Sequence, residues 1–221
     1  MTPSDVITEV RRLIQDTRTP VRYSDAVLLG FVNQTLKRMV MLRPDLFAVI
    51  GDIPTTANTV LQDCPADSIR LIEIFQVKNG NAVTEVNRET LDRTAPGWQQ
   101  DPAGQPVNFM RHVRNPNRFF VYPRPEAGVV LVGEYAQTPP EYALNDDIDF
   151  PIDAYFPTVV DGVVFLAESI DNEHVNSGRA KLFQDAFVQG LGVSLQSRTI
   201  TDTESGGMEP SRETRLRGEV I

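Results

Sequence analysis

The sequence predicts an α+β protein. A four-helix bundle forms from N- and C-terminal helical pairs, an antiparallel β-sheet or sandwich is inserted between them, and an extended arm ends the chain. Three observations carry this. Apolar residues recur at three- and four-residue steps near both ends. Short apolar runs separated by turn residues fill the middle. The last stretch is polar and has no apolar period. The boundaries are residues 1–45 and 150–197 for the bundle, 46–149 for the insert and 198–221 for the arm.

The first helix starts at Thr2-Pro3-Ser4-Asp5, with Thr2 as cap, a proline in the first turn and an acid at the third position. Val6, Ile7, Val10, Leu13 and Ile14 form its apolar stripe. Thr17–Val21 is a connection. Ser24-Asp25 caps a second helix with the stripe Leu28, Phe31, Val32, Leu36, Met39 and Leu42. It stops at Arg43-Pro44, because a residue before proline resists the helical region.

Strands are then predicted at Phe47–Ile50, Thr59–Gln62, Arg70–Val77, Ala82–Val86, Val107–Val113, Phe119–Tyr122 and Val129–Gln137. Asn79-Gly80 between two such runs is a hairpin signal, with positive φ expected at both residues. Asn115-Pro116-Asn117 is a second turn. Asn87 caps a short helix through Thr94, and Ala95–Pro106 is a long ordered loop anchored by the only tryptophan, Trp98.

Asp149–Arg198 holds the second helical pair, with a polar break at Ser169–Asn172. Phe156, Val160, Val163, Ala167 and Ile170 line one face of its first helix. Leu182, Phe183, Ala186, Phe187, Gly190 and Leu191 form a double stripe on its second, and Gly192 is the stop. Two such stripes cannot be hidden within one hairpin, so this pair needs the N-terminal pair.

Hydrophobic and charged fractions of 41% and 23% fit a soluble globular chain. The start has no signal-peptide pattern, no apolar run is long enough to span a bilayer, and a single cysteine fits a reducing compartment. A product made or assembled in a cytoplasm is therefore expected. The net charge of −9 argues against a dedicated nucleic-acid binder. That charge is unevenly placed. Gly104 to Arg124 has four arginines (Arg111, Arg114, Arg118 and Arg124) and no acid, whereas Pro125 to Gly178 has eleven acids and no lysine or arginine. Neighbouring blocks of opposite sign point to self-association or to two solvated faces.

Catalytic patterns are missing. His112 and His174 stand far apart, and no phosphate-cradling glycine loop or nucleophile motif occurs. Asp146, Asp147 and Asp149 with Asp153 lack the glycine and glutamate of a calcium loop, and are read as acids leading into a helix N-terminus. A metal-dependent nuclease built on them is the weakest reading, for want of a supporting lysine or histidine. Cys64 is read as a small buried apolar residue. The run from Phe109 to Tyr122 interleaves aromatic and basic residues. Strand alternation makes it a hairpin with an aromatic inner and a charged outer face, and the competing reading is a nucleic-acid-binding β module. No metal or cofactor is expected.

The order of elements, together with the W-x-x-D-P motif from Trp98 to Pro102, the P-V-N-F step from Pro106 and the N-P-N-R-F-F-V-Y-P step from Asn115, resembles the head-to-tail adaptor proteins of tailed bacteriophages, the tail-tubular-A-like group. The resemblance covers roughly residues 3–195. It implies a structural, non-enzymatic protein of the virion's head-tail junction, assembled in the host cytoplasm. It further implies a homo-oligomeric ring, typically of about twelve copies, docked under the portal protein and joined below to tail nozzle proteins. DNA passes through its lumen without specific binding, and no membrane is involved. The implied portal-docking arm carries Arg198, Arg212, Arg215, Leu216, Arg217, Val220 and Ile221. The implied tail-facing loop carries Trp98, Asp101 and Pro102. The two charge blocks suit a head-to-tail subunit interface: Arg111, Arg114 and Arg118 on one side, and Asp146, Asp147, Asp149, Asp153, Asp161 and Glu168 on the other.

Overall fold

Thr2 closes the first helix as its sequence requires. Its hydroxyl accepts from Asp5 N and the Asp5 carboxylate accepts from Thr2 N, giving a reciprocal cap. A computed structural model describes residues 1–149, 153–170 and 177–192. Among these lie five α-helices and seven strands: α1 Pro3–Leu13, α2 Asp25–Leu42, β1 Ala48–Pro54, β2 Leu61–Asp63, β3 Ser68–Val77, β4 Thr84–Glu85, α3 Arg88–Thr94, β5 Asn108–Arg111, β6 Arg118–Tyr122, β7 Val130–Gln137, α4 Phe156–Glu168 and α5 Ser177–Gly190. The fold is α+β.

Helices α1, α2, α4 and α5 contribute to one hydrophobic core. Val6, Val10, Leu28, Leu36, Val159, Val163, Phe187 and Leu191 all lie in it. The connection out of the β region packs along the same core through Tyr142 and Ile148. Buried Asn33 on α2 holds that connection by donating from Nδ2 to Tyr142 O (3.1 Å) and accepting Tyr142 N on Oδ1 (3.0 Å). Neither Asn33 nor the buried Thr35 and Val40 belongs to the apolar stripe the spacing predicts for α2.

Helix α4 departs from the expectation of one apolar face. It is buried nearly all round, at Thr158, Val159, Val160, Gly162, Val163, Val164, Leu166, Ala167 and Glu168. The reason is its position, since it touches α1, α2 and α5. Expected core residue Ile170 is 38% exposed at its end, and Leu182 on α5 is 69% exposed. Leu182 therefore does not belong to the buried stripe; Ala180, Phe187 and Leu191 do. Gly192 stands at φ 63°, the left-handed conformation that ends a helix, with its N–H donating to Gln189 O (2.8 Å). Of the expected polar break, Asp171 and Asn172 lie outside the described residues.

The β region forms two sheets of order β1-β7-β3 and β2-β6-β5-β4. Ile53, Leu71, Ile74 and Leu131 from the first sheet meet Phe109, Phe119 and Val121 from the second in a separate core. All pairings are antiparallel except β4 with β5, which is parallel. That corrects the fully antiparallel expectation. After the Lys78–Asn81 turn the chain pairs briefly with β3, through the Gln76 and Ala82 bridge, and then crosses to the other sheet. Only Asn79 in this turn takes positive φ (58°), so Gly80 does not share the left-handed conformation expected of both.

Candidate functional site

Three of the four block arginines, Arg111, Arg114 and Arg118, lie on the β5–β6 hairpin, and Arg124 follows β6. Strand alternation turns Phe119 and Val121 into the core and Arg118 outward. Arg111, opposite Phe119 and two residues from Phe109, stands on the core-facing side of β5 and reaches from its rim to the other sheet, which corrects the expectation of a charged outer face there. Neither arginine is available to a partner without first breaking an internal pair. Arg111 donates from Nε and Nη2 to the Glu85 carboxylate (2.8 and 3.1 Å) and from Nη1 to Leu71 O (3.0 Å). Arg118 pairs with Asp63, its register partner on β2. Arg114 is exposed and makes no ion pair among the described residues.

The tip of this hairpin, residues 112–117, is not separable from the strand by pattern. Val113 sits in the predicted strand Val107–Val113, yet β5 ends at Arg111 and Val113 is 99% exposed. The usable signal is the Asn115-Pro116-Asn117 turn, whose start extends back to His112. His112 Nδ1 accepts from Arg114 N (3.2 Å) and Asn115 N (3.0 Å), which requires the proton on Nε2. Its ring stacks on Phe120, with centroids 5.6 Å apart.

The acidic residues do not form one surface. Asp146 Oδ2 closes a turn by accepting Ala143 N (2.7 Å), and Asp147 and Asp149 are exposed. They do not occupy the first turn of α4, which has no acid. The segment instead crosses the start of α1, where Leu144 O accepts Ser4 N (3.0 Å) and Met1 O accepts Ile148 N (3.1 Å). Glu168 is 3% exposed and lies 3.9 Å from Arg179 Nε, so it faces inward and is no surface group. Asp161 is half-buried, and burial raises its carboxyl above the usual range. Asp153 begins a short 3-10 turn ahead of α4. Among the described residues no group of three His, Cys, Asp or Glu converges to hold a metal.

Trp98 is 1% exposed, an anchor beneath its loop and not a contact surface. Its Nε1 donates to Asp92 Oδ1 (2.8 Å), and its ring meets Tyr122 edge-on at 6.1 Å. The Tyr122 hydroxyl donates to Asp101 Oδ2 (2.8 Å). Pro102 is exposed at the loop's surface. The W-x-x-D-P motif thus fixes a loop conformation. Among the described residues no helix is long and apolar enough to cross a membrane. The arm residues Arg198, Arg212, Arg215, Leu216, Arg217, Val220 and Ile221 lie outside the described residues.

A family model described as SU10 adaptor protein matches residues 1–211. The chain belongs to the SU10 adaptor protein family. This is consistent with a phage head-to-tail adaptor and gives the chain a structural role. No curated protein matches the sequence. The matched span of the adaptor runs past the resemblance read over residues 3–195. It includes Arg198 and stops just before the Arg212, Arg215 and Arg217 cluster.

Proposed function

We propose that this adaptor forms a ring, of about twelve copies, beneath the portal protein of a tailed phage and joins it to the tail nozzle. The observation that carries this is the family match over residues 1–211. The common core of α1, α2, α4 and α5 supports reading them as a four-helix bundle that faces the portal. The separate core of the two sheets supports reading residues 46–149 as a second working surface, facing the tail. There the Trp98 anchor and the Tyr122–Asp101 bond hold Pro102 and Asp101 at the loop's rim.

The arm, residues 198–221, docks on the portal through its arginines and through Leu216, Val220 and Ile221. The net charge of −9 favours a lumen that repels phosphate, so DNA passes without specific binding. Phe109 and Phe119 are buried and so offer no stacking face to the nucleic-acid module reading, while half-buried Phe120 already carries the His112 ring and the Arg88 guanidinium.

Full-length protein mixed with the portal ring of the same phage should sediment with it and add a ring in electron micrographs. A chain truncated after Arg198 should bind with lower affinity. Equal affinity without residues 199–221 would overturn the docking role of the arm.

A further inference from the structure

We infer that the β5–β6 tip of one copy docks on the acidic segment of the next, Val113 and Arg114 meeting Asp147 and Asp149. This rests on the ring reading and names its subunit contact. A large apolar side chain that is 99% exposed contributes nothing to the fold by burial. The tip that carries it is nevertheless held on every side. His112 Nδ1 takes the two N–H groups of Arg114 and Asn115. Asn115 Oδ1 accepts Asn117 N (3.0 Å) and its carbonyl accepts Arg118 N (3.1 Å). Pro116 O accepts Leu71 N from the other sheet (2.9 Å), and Asn117 O accepts Cys64 N from the end of β2 (3.0 Å). A projecting apolar residue on a rigid base loses little conformational freedom when it docks.

The charges select the occupant. Arg111 and Arg118 are neutralised by Glu85 and Asp63 and Arg124 is half-buried past β6, so the exposed arginine of the block that makes no ion pair among the described residues is Arg114, beside Val113. On the acidic side Glu141 is paired with Lys37 and Asp146 closes its own turn. Asp147 and Asp149 remain exposed and make no ion pair among the described residues. Their segment is also fixed, by Ser4 N, Met1 O and Asn33. The two patches are different surfaces of opposite sign that do not pair within one chain. Such a heterologous contact repeats from copy to copy, and on a symmetric portal ring it closes.

The test uses full-length protein assembled on the portal ring of the same phage. Cys64 can stay, because it is buried and its thiol is pushed up to about 11 by that burial. A Val113→Cys, Asp147→Cys double variant, mildly oxidised, should run as a ladder of disulfide-linked multimers. Either single variant should give no ladder. Arg114→Glu should weaken ring assembly by about tenfold or more, and adding Asp147→Arg and Asp149→Arg should restore it. Rings that assemble normally with Arg114→Glu, and no ladder from the double variant, overturn the contact and leave the adaptor reading intact. If the unmodified chain forms no ring on the portal, both fall.

Discussion

Gly162 on α4 faces Thr35 on α2 so closely that a Cβ at Gly162 would stand 2.5 Å from Thr35 Cγ2 and 2.9 Å from the Phe187 ring of α5. Both neighbours are buried in the helical core and have no space to retreat. Alanine in place of a mid-helix glycine normally gains up to about 1 kcal/mol. Here overpacking costs about 1–3 kcal/mol and outweighs that gain. Gly162→Ala should therefore lower the melting temperature, by roughly 2–4 °C per kcal/mol. Gly30 in α2 supplies the opposite case, because a methyl group there would meet nothing within 4 Å. Gly30→Ala should raise the melting temperature. A Gly162→Ala protein as stable as the parent would mean that α2, α4 and α5 do not cross this tightly.

Local signals in this chain are legible because their physics is local. Thr2, Ser24 and Asn87 each accept a backbone N–H at a helix start, and Gly192 takes the positive φ that its place after α5 requires. What pattern does not reveal depends on distant partners. The stretch around Arg111 and Arg118 contains no acid of its own, since Glu85 and Asp63 arrive from strands more than twenty residues away. Val159, Val164 and Leu166 fall outside the predicted stripe of α4, because three helices surround it. Glu168 reads as a surface candidate from charge, yet it is buried, whereas Trp98 is buried as the anchor reading of its loop expects.

Cys64 should be slow to alkylate. Burial is the main cause of its raised thiol value, about 11, and nearby Asp63 adds to it, while the Ser68 hydrogen bond lowers it in part. At pH ~8 an ordinary cysteine is already partly thiolate, but Cys64 holds almost none. Iodoacetamide at that pH should label native protein far more slowly than protein in guanidinium. Equal rates would show that the β core opens readily at this edge.

Asp16 ties the α1–α2 connection together. It is 6% exposed, accepts Arg11 Nη1 (2.8 Å), and also accepts the backbone N–H groups of Arg22 and Tyr23. Asp16→Ala removes an acceptor from two backbone donors and one partner from a guanidinium. A loss of about 2–5 kcal/mol in denaturant unfolding is expected. Asp25 also pairs with Arg11, at 2.6 Å, but is mostly solvent-exposed. Asp25→Ala should cost under about 1 kcal/mol. Similar losses from both substitutions would refute the special weight given to Asp16.

The loop above Trp98 should respond to alkaline pH through Tyr122. The hydrogen bond to Asp101, and then the charge of that carboxylate, hold the Tyr122 phenol above its ordinary value. A phenol that keeps its proton to higher pH when folded contributes stability that is intact below pH ~10. That contribution is lost as pH rises through the folded value. Asp101→Asn removes the charge while leaving an oxygen to accept the bond, so Tyr122 should ionise at lower pH in the variant. The only tryptophan provides the readout, since its ring lies 6.1 Å from Tyr122 and a phenolate there quenches its fluorescence. Emission followed against pH should fall earlier in Asp101→Asn than in the parent. Coincident curves would show that Asp101 does not hold Tyr122, and would remove the bond that fixes Asp101 and Pro102 at the proposed tail-facing rim.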